Sequence, residues 1–267
     1  MRGYCRGRIV GGIILVIFVL SLLTAYAIRV IALVLFLWHI FTHRRRFGRA
    51  TSRGYKGQIE YKDSLYYRAT GYSWLQVRLN AGAYGEYLSF CTLEKVPGDK
   101  RFLFNVYLPT DSGGTSEVDL LMIHQKGIFV IESKNYSGWI FGNDTDKTWT
   151  QSLQNKQKNR FANPVWQNAG HIKHLKANLK SYNEVPYYSY VVFSERCELK
   201  KITVSRKDTW VLQRQNLAKA VEATMQRTPF VLSGIDIEDI YAELDRYAHA
   251  TVAQKQAHID AILEKEC

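Results

Sequence analysis

The sequence predicts an α/β domain, a mixed sheet flanked by helices, preceded by an N-terminal transmembrane segment. Three observations predict it. Residues 9–41 are predominantly apolar and carry a single charge, Arg29. Two aliphatic, β-forming runs, "VDLLMIH" and "IFVIESK", are joined by a tight turn. Helical and extended patterns alternate along the rest of the chain, which is the order of an α/β protein. The 267 residues leave room for one sizeable domain and an accessory segment.

The stretch "IVGGIILVIFVLSLLTAYAIRVIALVLFLWHIF" exceeds the roughly 20 apolar residues that cross a bilayer as a helix. It reads as a tilted span, a span with an interfacial segment, or a tight hairpin. "TAYA" at 24–27 has the form of a signal-peptidase site behind Arg2, Arg6 and Arg8, but apolar sequence resumes at once, which favours an anchor. Arg44, Arg45, Arg46, Arg49, Arg53 and Lys56 follow with no acid before Glu60. The positive-inside rule therefore places the following domain in the cytoplasm, at the inner membrane of the cell. The same basic flank suits anionic lipid head groups.

Net charge is +12, of which residues 1–58 hold +10, where it speaks to membrane topology rather than to DNA. The block 147–180 has seven basic residues and no acid, and is the part suited to phosphate. Cys5, Cys91, Cys197 and Cys267 form no C-x-x-C pair, so neither a zinc site nor a disulfide framework is indicated and a reducing compartment fits.

Residues 42–81 read as a basic juxtamembrane linker and a tyrosine-rich stretch without clear periodicity, 82–212 as the core, and 213–267 as C-terminal helices. In "GAYGEYLSFCTLEKV", Tyr84, Tyr87, Leu88 and Cys91 have helical spacing. "RFLFNVYL" is a strand closed by Pro109. "NPVWQNAGHIKHLKANLK" starts with Asn163 as N-cap and Pro164 at the first helical position, with Val165, Ala169, Ile172, Leu175 and Leu179 on one side. "YYSYVVF" reads as a buried strand, "ITV" and "TWVL" as shorter ones. Helices follow at about 214–227 and 236–248, then over "VAQKQAHIDAILEKE". Ile237, Ile240, Tyr241 and Leu244 form a stripe that packs on the sheet more readily than it docks a partner.

Asp119, Glu132 and Lys134 stand inside the two aliphatic runs, where charge needs a reason. Side chains alternate faces along a strand, which groups Glu117, Asp119, Leu121 and Ile123 on one face and Ile128, Val130, Glu132 and Lys134 on another. A Gln125-Lys126 loop sets Asp119 opposite Glu132; a Lys126-Gly127 loop sets it opposite Lys134. Directly opposite Cβ atoms lie roughly 4.5–5.5 Å apart, so either register brings Asp119 within reach of both. Two neighbouring carboxylates suit a hard cation such as Mg²⁺ or Mn²⁺, the plainer alternative being a structural ion pair.

"EVDLLMIHQKGIFVIESKN" resembles the PD-(D/E)xK nuclease signature, with Asp119 as first acid and "ESK" as the triplet. With "GAYGE" at 82–86, Trp149 and "NPVWQNAGHIKHL", the chain more specifically resembles the nuclease-related domain (NERD) family over most of 82–193. The resemblance implies a restriction-endonuclease-like core in which Asp119 and Glu132 ligate a divalent metal, joined by the Ser133 carbonyl. It makes Lys134 the group that orients water and stabilises charge, and Glu86 a further acid of the site. Phe90 and Leu93 follow Glu86 at i+4 and i+7 and crowd it with apolar surface. Gln167 fits the family's helix motif as a supporting or substrate contact and shares a helix face with His171 and His174. Those two histidines lack a third zinc ligand. Lys156, Lys158, Arg160 and Lys173 suit phosphates, and Trp149, with Trp166, suits base stacking. The expectation is a membrane-tethered, Mg²⁺- or Mn²⁺-dependent nuclease acting on nucleic acid, DNA first. The alternative is a binding or scaffolding module that has lost turnover.

Overall fold

The computed structural model describes residues 60–111 and 113–266, so the apolar segment 9–41 and its basic flank lie outside the described residues. Among the described residues no helix is long and apolar enough to cross a membrane. The chain from Tyr61 onward forms a compact unit.

Its centre is a five-stranded mixed sheet in the order β1-β2-β3-β7-β9, made of β1 (Lys100–Pro109), β2 (Thr115–His124), β3 (Gly127–Lys134), β7 (Tyr187–Phe193) and β9 (Thr209–Gln213). β1, β2 and β3 are antiparallel neighbours, while β3–β7 and β7–β9 are parallel. The residues that cover the sheet come from both sides because its central strands have two apolar faces. On one face, Phe102, Leu120, Met122, Phe129 and Tyr190 pack against Phe90 and Leu93 of α3 (Ala81–Leu93) and Leu217 and Val221 of α5 (Leu217–Arg227). On the other, Leu121, Ile123, Ile128 and Val130 meet Leu175 and Leu179, at and just past the end of α4 (Pro164–Asn178), and Ile237, Ile240 and Leu244 of α6 (Gly234–Asp245). The α6 stripe therefore packs on the sheet, as its spacing indicated. The last helix, α7, spans Val252–Glu266.

α4 starts where the sequence placed it: Asn163 Oδ1 accepts the Val165 N–H at 2.9 Å and Pro164 occupies the first turn. α3 is also present, but the stripe Tyr84, Tyr87, Leu88, Cys91 is only half-buried. The covered face carries Ala83, Phe90 and Leu93, the same side as Glu86.

Two regions differ from the sequence reading. The tyrosine-rich stretch forms α1 (Leu65–Thr70) and α2 (Trp74–Leu79), capped by Ser64 and Ser73. Tyr61 and Tyr66 are fully buried there, in edge-on and tilted contacts with Trp74, Tyr87, Phe90 and Phe104. Rings rather than aliphatic chains supply this burial. A second, four-stranded sheet, β6-β5-β4-β8, comprises β4 (Gly138–Asn143), β5 (Thr148–Ser152), β6 (Lys158–Ala162) and β8 (Cys197–Thr203). Its core is Ile140, Trp149 and Cys197 against Val165, Val191 and Phe193. The single-sheet expectation becomes a two-sheet α/β fold.

Trp149 was expected to stack on bases, and the structure overturns that. Trp149 is fully buried, stacked on Phe193 with centroids 6.2 Å apart, and its indole N–H donates to the Asn143 carbonyl. Gly142 leaves room for it: a Cβ there would lie 2.1 Å from the indole. Both faces of the ring are committed to the core.

Candidate active site

The hairpin takes the register with Gln125-Lys126 in the loop, since His124 pairs with Gly127 and Leu120 with Ile131. Gly127 is the first strand residue; its φ is +129° and a Cβ would lie 2.6 Å from the Pro186 carbonyl oxygen, so glycine is required there. Counting back, Asp119 lies opposite Glu132. Backbone pairing stops one step short of them, and the Ser133 N–H donates instead to Asp119 Oδ2 at 2.8 Å. The N–H and C=O of a strand residue leave on the same side. The Ser133 carbonyl therefore also points away from β7, toward the edge where Asp119 stands.

Alternation breaks at this point. Val118 joins Leu121 and Ile123 in one cluster instead of Leu120 in the other, and across β1 the pairing skips Asn105, which has φ +50°. Asparagine tolerates this left-handed conformation better than most residues. The strict face grouping of Glu117 with Asp119 and Leu121 thus ends at Asp119, where both neighbouring strands change course.

Glu132 is buried and held at both oxygens: Lys134 Nζ lies 2.6 Å from Oε1, and His171 Nε2 lies 3.1 Å from Oε2. His171 is itself fixed by Ser116 Oγ at 2.7 Å from Nδ1. Glu86 accepts from the Tyr66 hydroxyl at 3.2 Å. A fourth acid, Glu117, receives the Tyr107 hydroxyl at 2.5 Å and faces His258 Nε2 at 3.7 Å. A cavity of about 590 Å³ exposes Asp119, Glu132, Lys134, Gln167 and His171, with Lys173 on its rim. Gly85 lets α3 approach the end of β3, for a Cβ there would meet Ser133 Oγ at 2.9 Å and Asn135 Cβ at 3.1 Å.

The charges are unequally matched. Burial pushes up on Glu132, but the Lys134 ammonium and the His171 ring outweigh it and hold Glu132 down to about 2. Burial and then the Glu132 charge push Asp119 up to about 7, against the pull of Lys134. Burial, Asp119 and Glu117 hold Glu86 well above the usual carboxylate range. Burial works against the charged Lys134, yet Glu132 and Asp119 overcome it and raise its pKa. One ammonium thus serves two carboxyls, Glu132 and Asp119.

These features fit a hard divalent ion. Carboxyls that resist ionising because of burial and of one another are stabilised by added positive charge, and Gln167 Oε1 is a buried acceptor without a protein donor. Among the described residues no three His, Cys, Asp or Glu side chains form a complete metal cage. Magnesium needs none, since it binds through one or two carboxylates with waters and substrate phosphate.

Of the four basic residues expected to contact phosphate, Lys156, Lys158, Arg160 and Lys173, the structure brings Lys173 alone to this cavity, where it is 3.8 Å from Asp111. Lys156 and Lys158 line a different groove, and Arg160 is exposed on β6. His171 emerges as the side chain that positions Glu132. Its signal in the sequence was the shared helix face with Gln167.

Residues 81–194 match the nuclease-related domain, NERD. An uncharacterized protein of Bacillus anthracis is 35% identical over 161 residues, which cover 60% of this chain and 73% of that relative. The chain belongs to the NERD family. No solved structure matches it significantly. The NERD region spans α3 through β7 and so contains the acids of α3, β2 and β3, the Lys134 ammonium and the α4 residues Gln167 and His171.

Proposed function

We propose that this NERD protein is a divalent-metal-dependent nuclease that hydrolyses phosphodiester bonds, in DNA by preference, at the cytoplasmic membrane. The observation that carries the proposal is the Asp119–Glu132–Lys134 group, with Glu132 buried and its two neighbours half-buried at the cavity, at the frayed end of the β2–β3 hairpin. Asp119, Glu132 and the Ser133 carbonyl would hold Mg²⁺ or Mn²⁺, with Glu86 nearby. The bound ion supplies Lewis-acid polarisation of the phosphate and acidifies water. Lys134 sets a fixed positive charge beside the carboxylates, in a place with little water to screen it, and so stabilises charge developing on the phosphate. His171 and Ser116 keep Glu132 ionised and fixed in orientation. Lys173 meets a phosphate at the rim. Residues 9–41 and the basic flank would tether the domain with its site toward the cytoplasm.

A catalytically silent binding module is the second reading. The buried, mutually destabilised acids argue against it, because a polyanion binder gains nothing from them. The test is cleavage of plasmid, linear duplex, single-stranded DNA and RNA by the purified chain with Mg²⁺, Mn²⁺ or EDTA. Metal-dependent cutting supports the nuclease, and the panel names its substrate; salt-sensitive binding with no cutting under any metal supports the silent module.

A further inference from the structure

A groove of about 1110 Å³ runs along the second sheet, lined by Trp139, Lys156, Lys158, Arg196 and Glu198. Trp139, on β4, is 51% exposed, unusual for a tryptophan in a folded domain. Lys200 Nζ sits over one face of the ring, 5.1 Å from its centroid, and half of the residue remains open to solvent. The acids at the groove are already matched: Glu195 by Arg214, and Glu198 by Lys200 at 2.5 Å. Lys156, Lys158 and Arg196 are left as uncompensated positive charge. Arg196 is built into the wall, its guanidinium donating to the Asn135 carbonyl at 2.7 Å and to Asn135 Oδ1 at 3.0 Å.

The groove adjoins the acids through the chain itself. β3 ends at Lys134 and β4 begins at Gly138, with Ser137 lining the groove. Five residues of extended chain reach at most about 18 Å, so Trp139 lies within a few nucleotides of Lys134. Ser194 ties the connection down, donating its N–H to the Lys134 carbonyl and its hydroxyl to that of Tyr136.

The geometry points to a stacking subsite for an unpaired base, in which Trp139 receives the base and Lys156, Lys158 and Arg196 track the phosphates of a single-stranded segment. This rests on the nuclease reading and adds its substrate class. A half-exposed indole in a cationic groove is the combination that binds single strands without reading their sequence. A paired base, already stacked inside a duplex, has no free face for the indole.

The test is fluorescence anisotropy of the full chain with a labelled oligodeoxythymidylate, and with the same oligonucleotide bearing abasic positions, in EDTA so that no cutting intervenes. Trp139→Ala is expected to weaken binding of the base-bearing strand about tenfold or more while leaving the abasic strand unchanged, and Trp139→Phe to restore most of it. Lys156→Ala and Lys158→Ala should each flatten the slope of log affinity against log salt by about 0.7. Equal binding of base-bearing and abasic strands by the native chain, or no effect of Trp139→Ala, overturns the subsite. Metal-dependent cleavage that survives Trp139→Ala with unchanged strand preference leaves the nuclease standing and removes this inference alone. Failure to bind either strand, with no cutting under any metal, removes both.

Discussion

At the residue scale, the site is defined by which acid is easy to ionise and which is not. Glu132, gripped by Lys134 and His171, stays charged, whereas burial and then the charge of neighbouring carboxylates make Asp119 and Glu86 resist charging. His171→Ala frees one oxygen of Glu132 and is expected to lower metal affinity or turnover about 10–100-fold, the usual effect of removing a group that orients a ligand. Metal titration followed by calorimetry reads this directly. Asp119 gives a pH dependence with a definite sign. Its folded pKa of about 7 lies above the ordinary value of 3.8, so the stability it contributes is present at low pH and is lost as pH rises toward 7. A divalent ion counters that loss by binding the ionised carboxylate. Mg²⁺ should therefore raise the melting temperature more at about pH 8 than at about pH 5. Equal shifts at both would remove Asp119 as a ligand. In the sequence, Asp119, Glu132 and Lys134 were legible because charge interrupts aliphatic runs. His171 was legible as a neighbour of Gln167 on one helix face, but its bond to Glu132 was not, since an exposed and a buried histidine look alike on a helix.

At the scale of elements, α4 and β7 were legible because their apolar spacing is clean and their ends carry an N-cap, a proline or a turn. Both hairpin registers were open in the sequence, and contact between Gly127 and the Pro186 backbone explains why the glycine follows the loop instead of lying in it. The second sheet was not legible. "TWTQS" and "KNRFA" bury only Trp149 deeply, so β5 and the edge strand β6 lack the apolar alternation that marks a strand and were read only as part of a basic block. Trp149 was assigned to base stacking from that misplaced context. Removing it separates packing from binding: Trp149→Ala should cost about 3–5 kcal/mol of stability, as large-to-small core substitutions do. Chemical denaturation measures this, and a variant of native stability would contradict a core role for the ring.

At the scale of the molecule, two three-dimensional features could not be read from local patterns. The aromatic cluster around Tyr61 and Tyr66 draws residues outside the expected core into the folded unit, and the break of alternation at Asn105 and Asp119 needs two strands to be seen together. The broad plan of a sheet covered by helices on both faces was legible, because it follows from the order of elements. Apolar length and basic flank predict where the protein resides. Deleting residues 1–58 should move the chain from the membrane pellet to the soluble fraction in cell fractionation while leaving its metal-dependent cleavage intact; recovery of the shortened chain in the pellet would remove the anchor from that segment.

The central claim is that Asp119 and Lys134 belong to one metal-dependent phosphodiesterase centre. The most direct measurement compares cleavage of DNA in Mg²⁺ by the native chain, Asp119→Ala and Lys134→Ala, with folding of each checked by circular dichroism. The account predicts metal-dependent cutting that falls about 100-fold or more in both variants. Cutting at the native rate in either folded variant would contradict it.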